Sequence, residues 1–123
     1  MKTLIIDTSP SGCEQVAACL PSALKARSVM TWRMLSAIHL SQTERPRIIV
    51  IDIAHENGIG LLRVLRRINV EAKILVFSSL MLFERRCLSE GADGFFLKYQ
   101  DTAAFHAAAE NCRLDFAAAG AAQ

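Results

Sequence analysis

The sequence predicts an α/β fold in which a parallel, doubly wound β-sheet is covered by helices on both faces. Four short apolar runs each end at a polar residue, and helical stretches alternate with them along the chain. Because polar residues do not alternate within these runs, the runs suit strands that are buried on both faces. Strands alternating with helices imply right-handed crossovers and a doubly wound sheet. The 123 residues are predicted to form one domain, 1–123, of ordinary size.

The strand candidates are rich in branched or aromatic residues, and each stops at a side chain that can take part in chemistry. Residues 4–6 end at Asp7 and residues 48–51 end at Asp52. Residues 74–77 end at Ser78 and residues 95–97 end at Lys98. A weaker candidate, residues 28–31, fits between the first two helices, so that the strand–helix unit occurs five times.

The first predicted helix has a start signal, an end signal and an apolar face. Ser11 and Glu14 match the capping-box pattern, and Pro21 stops or bends the helix. Its apolar face consists of Cys13, Val16, Ala17 and Leu20.

Four further helices follow from apolar spacing and from turn residues. The third begins after the turn signal Asn57-Gly58, Gly91 closes the fourth as its C′ residue, and Asp101 can cap the fifth. Residues 117–123, rich in Ala, are predicted to be a frayed helix end or the stub of a linker. In chain order, the marker residues are Met34, Leu35 and Ile38; Leu61, Leu62, Leu65 and Ile68; Phe83, Cys87 and Leu88; and Phe105, Ala109 and Cys112.

Composition argues against several classes of protein. The net charge of +2 is too small for a dedicated nucleic-acid binder. No apolar run approaches the ~20 residues needed to cross a bilayer, and the first run lacks a signal-peptide pattern, so we expect a cytoplasmic domain. The four cysteines lack metal-ligand or redox spacing and are interpreted as reduced core residues.

The polar residues at the strand ends predict the working site. In a parallel sheet the carboxyl ends of all strands meet at one edge, where ligands of doubly wound folds bind. Asp7, Asp52, Ser78 and Lys98 should therefore gather there. Two carboxylates can hold Mg²⁺, and a hydroxyl with an ammonium can hold a phosphoryl group.

At these residues the sequence resembles the receiver domain of two-component response regulators, of the chemotaxis-receiver kind. Asp52 corresponds to the phospho-acceptor and Gly60 to a glycine at the start of the third helix. Ser78 and Ser79 correspond to the hydroxyl residue and the small residue after the fourth strand. The segment 91–98, Gly-Ala-Asp-Gly-Phe-Phe-Leu-Lys, is close to the family motif that ends in its lysine. The resemblance implies a flavodoxin-like sheet in the order 2-1-3-4-5.

The resemblance also implies a mechanism. Asp52 would accept a phosphoryl group from a histidine kinase or phosphotransfer protein, and Lys98 would pair with it. Asp7, Asp52 and a backbone carbonyl near Ala54 would hold Mg²⁺. Ser78 would then move to the phosphoryl oxygens and let Phe95 turn inward. The chain would be a signalling module rather than an enzyme, although it would take part in phosphoryl transfer and possible autodephosphorylation.

The switched surface would be the fourth helix, fifth strand and fifth helix. Through it the chain would contact a downstream protein or a missing effector domain, or form a homodimer. Direct nucleic-acid or membrane partners are not expected.

The sequence also departs from the family pattern. Thr8 stands where a second acid is usual, which predicts weak Mg²⁺ binding, and Glu56 could partly compensate. His55-Glu56 replaces the usual Met-Pro, and Tyr99 replaces the proline after the lysine, which puts a cis peptide there in doubt.

Two rival functions stay open. The first is a pseudo-receiver that binds a partner without phosphorylation, and Thr8 is its best support. The second is a flavin- or phosphate-binding domain that uses residues 7–12 as a loop opening a helix, although Asp7 would repel a phosphate there. Arg63, Arg66 and Arg67 are interpreted as a solvated helix face rather than a nucleic-acid patch.

Overall fold

A computed structural model describes residues 1–54 and 57–121 of the chain, the last of these without its side chain. Its centre is a five-stranded sheet in the order β2-β1-β3-β4-β5, in which every neighbouring pair is parallel. The predicted fold class and strand order are therefore confirmed. The strands are β1 (Thr3–Ile6), β2 (Ser28–Thr31), β3 (Ile48–Ile51), β4 (Lys73–Ser78) and β5 (Gly94–Leu97).

Helices connect all consecutive strands and follow the last one. The predicted second to fifth helices correspond to α3–α6, because one short helix, α2, escaped prediction. Four residues span a single turn, which is too short for a 3.6-residue period to be read. The helices are α1 (Pro10–Ala18), α2 (Ser22–Lys25), α3 (Met34–Thr43), α4 (Gly58–Ile68), α5 (Glu84–Ser89) and α6 (Thr102–Ala121), and a 3₁₀ turn (Met81–Phe83) precedes α5.

The start of α1 differs from the predicted capping box. Ser9, not Ser11, is the N-cap, and its Oγ accepts a hydrogen bond of 3.0 Å from the Gly12 N–H. Pro10 then occupies the first turn, where its fixed φ favours the helix and its missing N–H costs nothing. The Ser9-Pro10 pair was therefore the stronger start signal.

The core has two layers, one on each face of the sheet. Leu4 and Ile6 of β1 pack with residues of α3 and α4, whereas Ile5 packs with residues of α1 and α6. This alternation is the two-residue period of a strand that is covered on both faces. Leu35, a predicted helix marker, is 80% exposed.

Arg66 joins the end of α4 to the segment before β5. Its guanidinium donates to the carbonyls of Asn69, Val70 and Ala72 and to that of Gly91, at 2.9–3.1 Å. It also donates to Asp93 Oδ2 at 2.7 Å. The interpretation of Arg66 as part of a solvated face is therefore wrong. Four of its acceptors are backbone carbonyls, and sequence patterns do not reveal such contacts.

Arg63 also forms a specific contact. It donates two hydrogen bonds, of 2.9 and 2.7 Å, to the carboxylate of Glu90. These bonds hold the pKa of Glu90 at about 2. Arg67, in contrast, is exposed as predicted.

The structure also shows the state of the cysteines and the extent of the last helix. All four cysteines are free thiols, and three of them are buried. The predicted frayed end is helical as far as Ala121. In the part of the chain that the structure describes, no helix is long and apolar enough to cross a membrane.

Candidate functional site

The register of the sheet brings the predicted site residues to one edge. Ile6 pairs with Ile51, so the residues that follow them, Asp7 and Asp52, lie side by side. The ladder continues past both strand ends. The Asp7 N–H donates to Thr31 O at 3.1 Å and the Asp52 N–H donates to Ile6 O at 2.9 Å. The backbone of both acids is thus fixed by sheet hydrogen bonds.

Lys98 joins the two acids. Its Nζ lies 2.7 Å from Asp7 Oδ2 and 2.8 Å from Asp52 Oδ2. Asp7 is 1% exposed and Asp52 is 4% exposed, so one ammonium neutralises part of the charge of two buried carboxylates. The sequence predicted the pair with Asp52. The pair with Asp7 joins residues far apart in the chain and depends on the three-dimensional arrangement.

The second oxygen of each carboxylate accepts a backbone hydrogen bond. Asp7 Oδ1 accepts from the Thr8 N–H at 2.7 Å, and the Thr8 hydroxyl lies 3.3 Å from the same oxygen. Asp52 Oδ1 accepts from the Ala54 N–H at 2.9 Å. Thr8 therefore orients the remaining acid. Each aspartate presents one oxygen to a backbone amide and the other to Lys98.

The backbone of Gly12 packs closely against the side chain of Asp7, a contact that our sequence analysis did not predict. A Cβ atom placed on Gly12 would lie 2.3 Å from Asp7 Oδ1, which is far inside van der Waals contact. The absence of a side chain at this position lets the first turn of α1 pack against the carboxylate. Glycine within a helix is otherwise unfavourable. A glycine inside the predicted first helix was therefore the one sequence feature that could have pointed to this close contact.

Ser78 lies beside Lys98 and is fully buried, with 0% exposure. Its carbonyl accepts a hydrogen bond of 2.9 Å from the Lys98 N–H. Its Oγ accepts a hydrogen bond of 3.2 Å from the Leu80 N–H. The hydroxyl hydrogen can therefore still be donated to a neighbouring oxygen.

An exposed apolar segment follows Ser78. Leu80, Met81, Leu82 and Phe83, the apolar loop, are 39%, 63%, 87% and 37% exposed. The backbone of its first residue is held by the Ser78 hydroxyl, so this loop is directly attached to the site.

The electrostatic environment keeps Lys98 charged. Burial alone would lower the pKa of this ammonium, but its hydrogen bonds to Asp52 and Asp7 and their negative charges outweigh burial. The net effect is a pKa above the ordinary value for lysine. Lys98 is thus a permanent cation at neutral pH.

Asp7 and Asp52 are the described side chains that could hold the predicted Mg²⁺. Two carboxylates are the hard ligands that Mg²⁺ prefers, but both are already bonded to Lys98. Among the described residues, no group of three His, Cys, Asp or Glu side chains is arranged to hold a metal. Ala54 contributes its N–H to Asp52, and a role for its carbonyl remains a prediction. His55 and Glu56 lie outside the described residues.

The structure also places Phe95, the predicted switch residue, and Tyr99, which follows Lys98. Phe95 is half-buried and packs against the α3–α4 layer of the core. Tyr99 is 82% exposed and has a φ of 71°, a region that bulky residues rarely adopt. The described residues contain no cis peptide bond.

The segment 7–12 is poorly suited to hold a phosphate. The Thr8 N–H is bonded to Asp7 and the Gly12 N–H is bonded to Ser9. These amides are therefore not free to donate to an anion, as a phosphate-binding helix start requires. The structure does not favour the rival phosphate-loop interpretation.

Comparisons with known proteins support the fold. No protein-family model matches the chain, and no curated protein sequence matches it. Solved structures do match. The receiver domain of AraT, a response regulator from Geobacillus stearothermophilus, superposes with a TM-score of 0.82 at 13% identity, covering 97% of both chains. The signal receiver domain of the putative response regulator NarL from Mycobacterium tuberculosis gives a TM-score of 0.73 at 19% identity, covering 90% of this chain and 94% of that one.

A third similar structure is a two-component response regulator of the LuxR family from Aurantimonas, with a TM-score of 0.71 at 22% identity. That match covers 83% of this chain and 76% of the other. At these identities the likeness establishes that the chain has the receiver-domain fold.

Proposed function

We propose that this chain is a phospho-acceptor receiver domain in two-component signalling, with Asp52 as the acceptor. The observation that carries the proposal is the pairing of Lys98 with both Asp52 and Asp7 at the carboxyl edge of the sheet. A buried hydroxyl, that of Ser78, lies on the strand between the acceptor and the lysine. Acceptor, cation and hydroxyl together suit the binding of one phosphoryl group.

The transfer itself requires little from the protein beyond position and charge. A carboxylate oxygen of Asp52 attacks the phosphorus of a phosphohistidine, the P–N bond breaks, and the histidine nitrogen takes up a proton. The donor would be a histidine kinase or phosphotransfer protein. The Ala54 N–H fixes one oxygen of Asp52, and Lys98 stabilises the negative charge of the transferring group.

Magnesium binding is part of the proposal, with Asp7 and Asp52 as ligands. A bound Mg²⁺ would neutralise phosphoryl oxygens. Because Thr8 replaces an acid and Lys98 already bonds both carboxylates, we expect weak Mg²⁺ binding. Titration that shows micromolar Mg²⁺ affinity would contradict this.

Intact-mass measurement after incubation with acetyl phosphate and Mg²⁺ tests the function. We expect the wild type to gain the mass of one phosphoryl group and Asp52→Asn to gain none. Asp101→Asn is a suitable control. Asp101 lies just before α6, and its carboxylate accepts a hydrogen bond from the Leu97 N–H. We expect this variant to be modified like the wild type. A wild type that stays unmodified, or an Asp52→Asn variant that is modified equally, would refute the proposal.

A pseudo-receiver that acts without phosphorylation is the second candidate. Thr8 in place of an acid favours it, and so does an ammonium that already bonds both carboxylates. Such a module would bind a partner through the same surface and ignore phospho-donors. Beryllofluoride discriminates the two, because only a receiver with a working acceptor site should respond to this phosphoryl analogue.

Signal output would pass through α5, β5 and α6, which would contact a downstream protein, an effector domain or a second copy of the chain. In this proposal Ser78 moves toward the phosphoryl group and Phe95, now half-buried, turns inward. Moving a two-state surface from 1:99 to 99:1 takes about 5.5 kcal/mol. Amide NMR shifts should change along this surface on phosphorylation, and an aspartyl phosphate that leaves it unchanged would exclude the switch.

A further inference from the structure

A second concave site lies at the opposite end of the sheet from Asp52. This groove has a volume of about 790 Å³, within the range of small-molecule sites. Its walls come from the end of α3, the segments before β3 and β4, and the last turns of α6. Arg47 precedes β3 and Asp52 follows it, so a full strand separates the two sites.

Two arginines on one wall of the groove have no carboxylate partner among the described residues. Arg45 and Arg47 are exposed while Pro46 between them is buried, so both side chains lie on the solvent side of this wall. Among the described residues, neither guanidinium forms a hydrogen bond or ion pair. Two arginines of α4 differ from them, because Arg63 and Arg66 each form an ion pair with a carboxylate. The groove therefore presents two uncompensated cations.

The rest of the lining supplies apolar surface. Val70 is 75% exposed and Ile68 is 37% exposed. The guanidinium of Arg47 lies 5.3 Å from the ring centroid of Phe116, a cation–π distance. Glu71 is the one acid among the described lining residues, so the lining keeps a net positive charge.

The backbone of the arginine wall is held in place. The Arg47 N–H donates to Lys2 O at 3.1 Å, and its carbonyl accepts from the Lys73 N–H at 2.8 Å. Arg45 has a φ of 48° immediately before Pro46, a left-handed conformation that is unfavourable for a non-glycine residue. Such conformations concentrate at ligand-binding sites.

We propose that this groove binds a small organic anion. Its acidic group, a carboxylate, sulfonate or phosphate, pairs with Arg45 and Arg47, and its aromatic or aliphatic body lies against Ile68, Val70 and Phe116. The inference is independent of phosphoryl transfer at Asp52, because it uses a different edge of the sheet and different residues.

Amide NMR titration with two probes tests the site. Anilinonaphthalene sulfonate carries an aromatic body and one negative charge, and N-phenylnaphthylamine carries a similar body without the charge. We expect the sulfonate to shift the amides of Arg47, Val70 and Glu71 and to bind about fivefold more tightly than the neutral probe, as two exposed ion pairs allow. Arg45→Gln/Arg47→Gln should remove this difference.

The matched control is Arg33→Gln/Arg85→Gln, which removes two exposed positive charges outside the groove and should leave sulfonate binding unchanged. Shifts confined to the apolar loop, equal affinity for the two probes, or equal loss in both double variants would overturn the proposal. Absence of binding by either probe would overturn it as well. The comparison of the two probes on the wild type keeps the test decisive even if one variant fails to fold.

Discussion

Replacing Lys98 with methionine should destabilise the protein strongly, because it leaves two buried carboxylates without their cation. Methionine keeps an unbranched side chain, one heavy atom shorter than that of lysine, and removes the charge and its hydrogen bonds. Lys98 is 14% exposed and its partners Asp7 and Asp52 are 1% and 5% exposed in their side chains. Removing one member of a buried ion pair costs roughly 3–5 kcal/mol. That is a large part of the ~5–15 kcal/mol by which domains are stable.

Urea denaturation followed by circular dichroism measures this loss at neutral pH. Lys25→Met is the matched control, since Lys25 is an exposed lysine, and its effect should stay within about 0.5 kcal/mol. A loss below about 1 kcal/mol for Lys98→Met would contradict the idea that this ammonium neutralises both acids. In the cycle with Asp52→Asn, the two substitutions should be non-additive, as expected for residues in direct contact.

The same pair of proteins gives a pH test. The folded-state pKa of Lys98 lies above its ordinary value, so its contribution to stability is fully present below the unfolded pKa of about 10.4. The contribution is lost as the pH rises through the folded pKa. We therefore expect the stability difference between wild type and Lys98→Met to be constant from pH 7 to about 10 and to narrow above it. A difference that already closes below pH 9 would contradict the raised pKa.

Two further substitutions test the packing beside Asp7 and the hydrogen bonds at the end of α4. Gly12→Ala should cost about 1–3 kcal/mol in urea denaturation, because its Cβ would collide with Asp7. Gly120→Ala, whose Cβ meets no atom within 4 Å, should be neutral or stabilising, and equal effects of the two would refute the close-packing argument. Arg66→Lys should cost about 1–3 kcal/mol, since an ammonium cannot reproduce the planar set of donors, whereas the exposed Arg67→Lys should change stability by less than 0.5 kcal/mol. A small loss for Arg66→Lys would mean that its carbonyl contacts contribute little.

The sheet was predictable because its signal is local and strong. Runs such as residues 48–51 are apolar without alternation, a pattern typical of strands that are buried on both faces. The polar residue after each run then predicted the edge of the sheet at which the candidate site lies. Parallel strands must bring these residues together, so the sequence alone predicts that Lys98 lies near Asp52.

The misses have physical causes as well. The Ser11–Glu14 pattern matched a capping box, but Ser9 lies before a proline, which fits the first turn better. Arg66 looked like a solvated residue, because backbone carbonyls carry no sequence signature. Contacts such as Gly12 against Asp7 depend on the angle at which α1 leaves the sheet, and the local sequence does not specify that angle.

Lys98 directly follows the last strand, β5, and this position has a consequence for how the chain folds. The lysine reaches acids that are 91 and 46 residues earlier in the sequence. Without β5 beside β4, Asp7 and Asp52 would lack the ammonium that bonds both of them. Proteins dominated by contacts between residues so far apart in the sequence fold more slowly than those with local contacts. A nascent chain that ends before β5 therefore carries an uncompensated pair of like charges at its sheet edge. Addition of the final strand therefore brings in the ammonium that pairs with both acids.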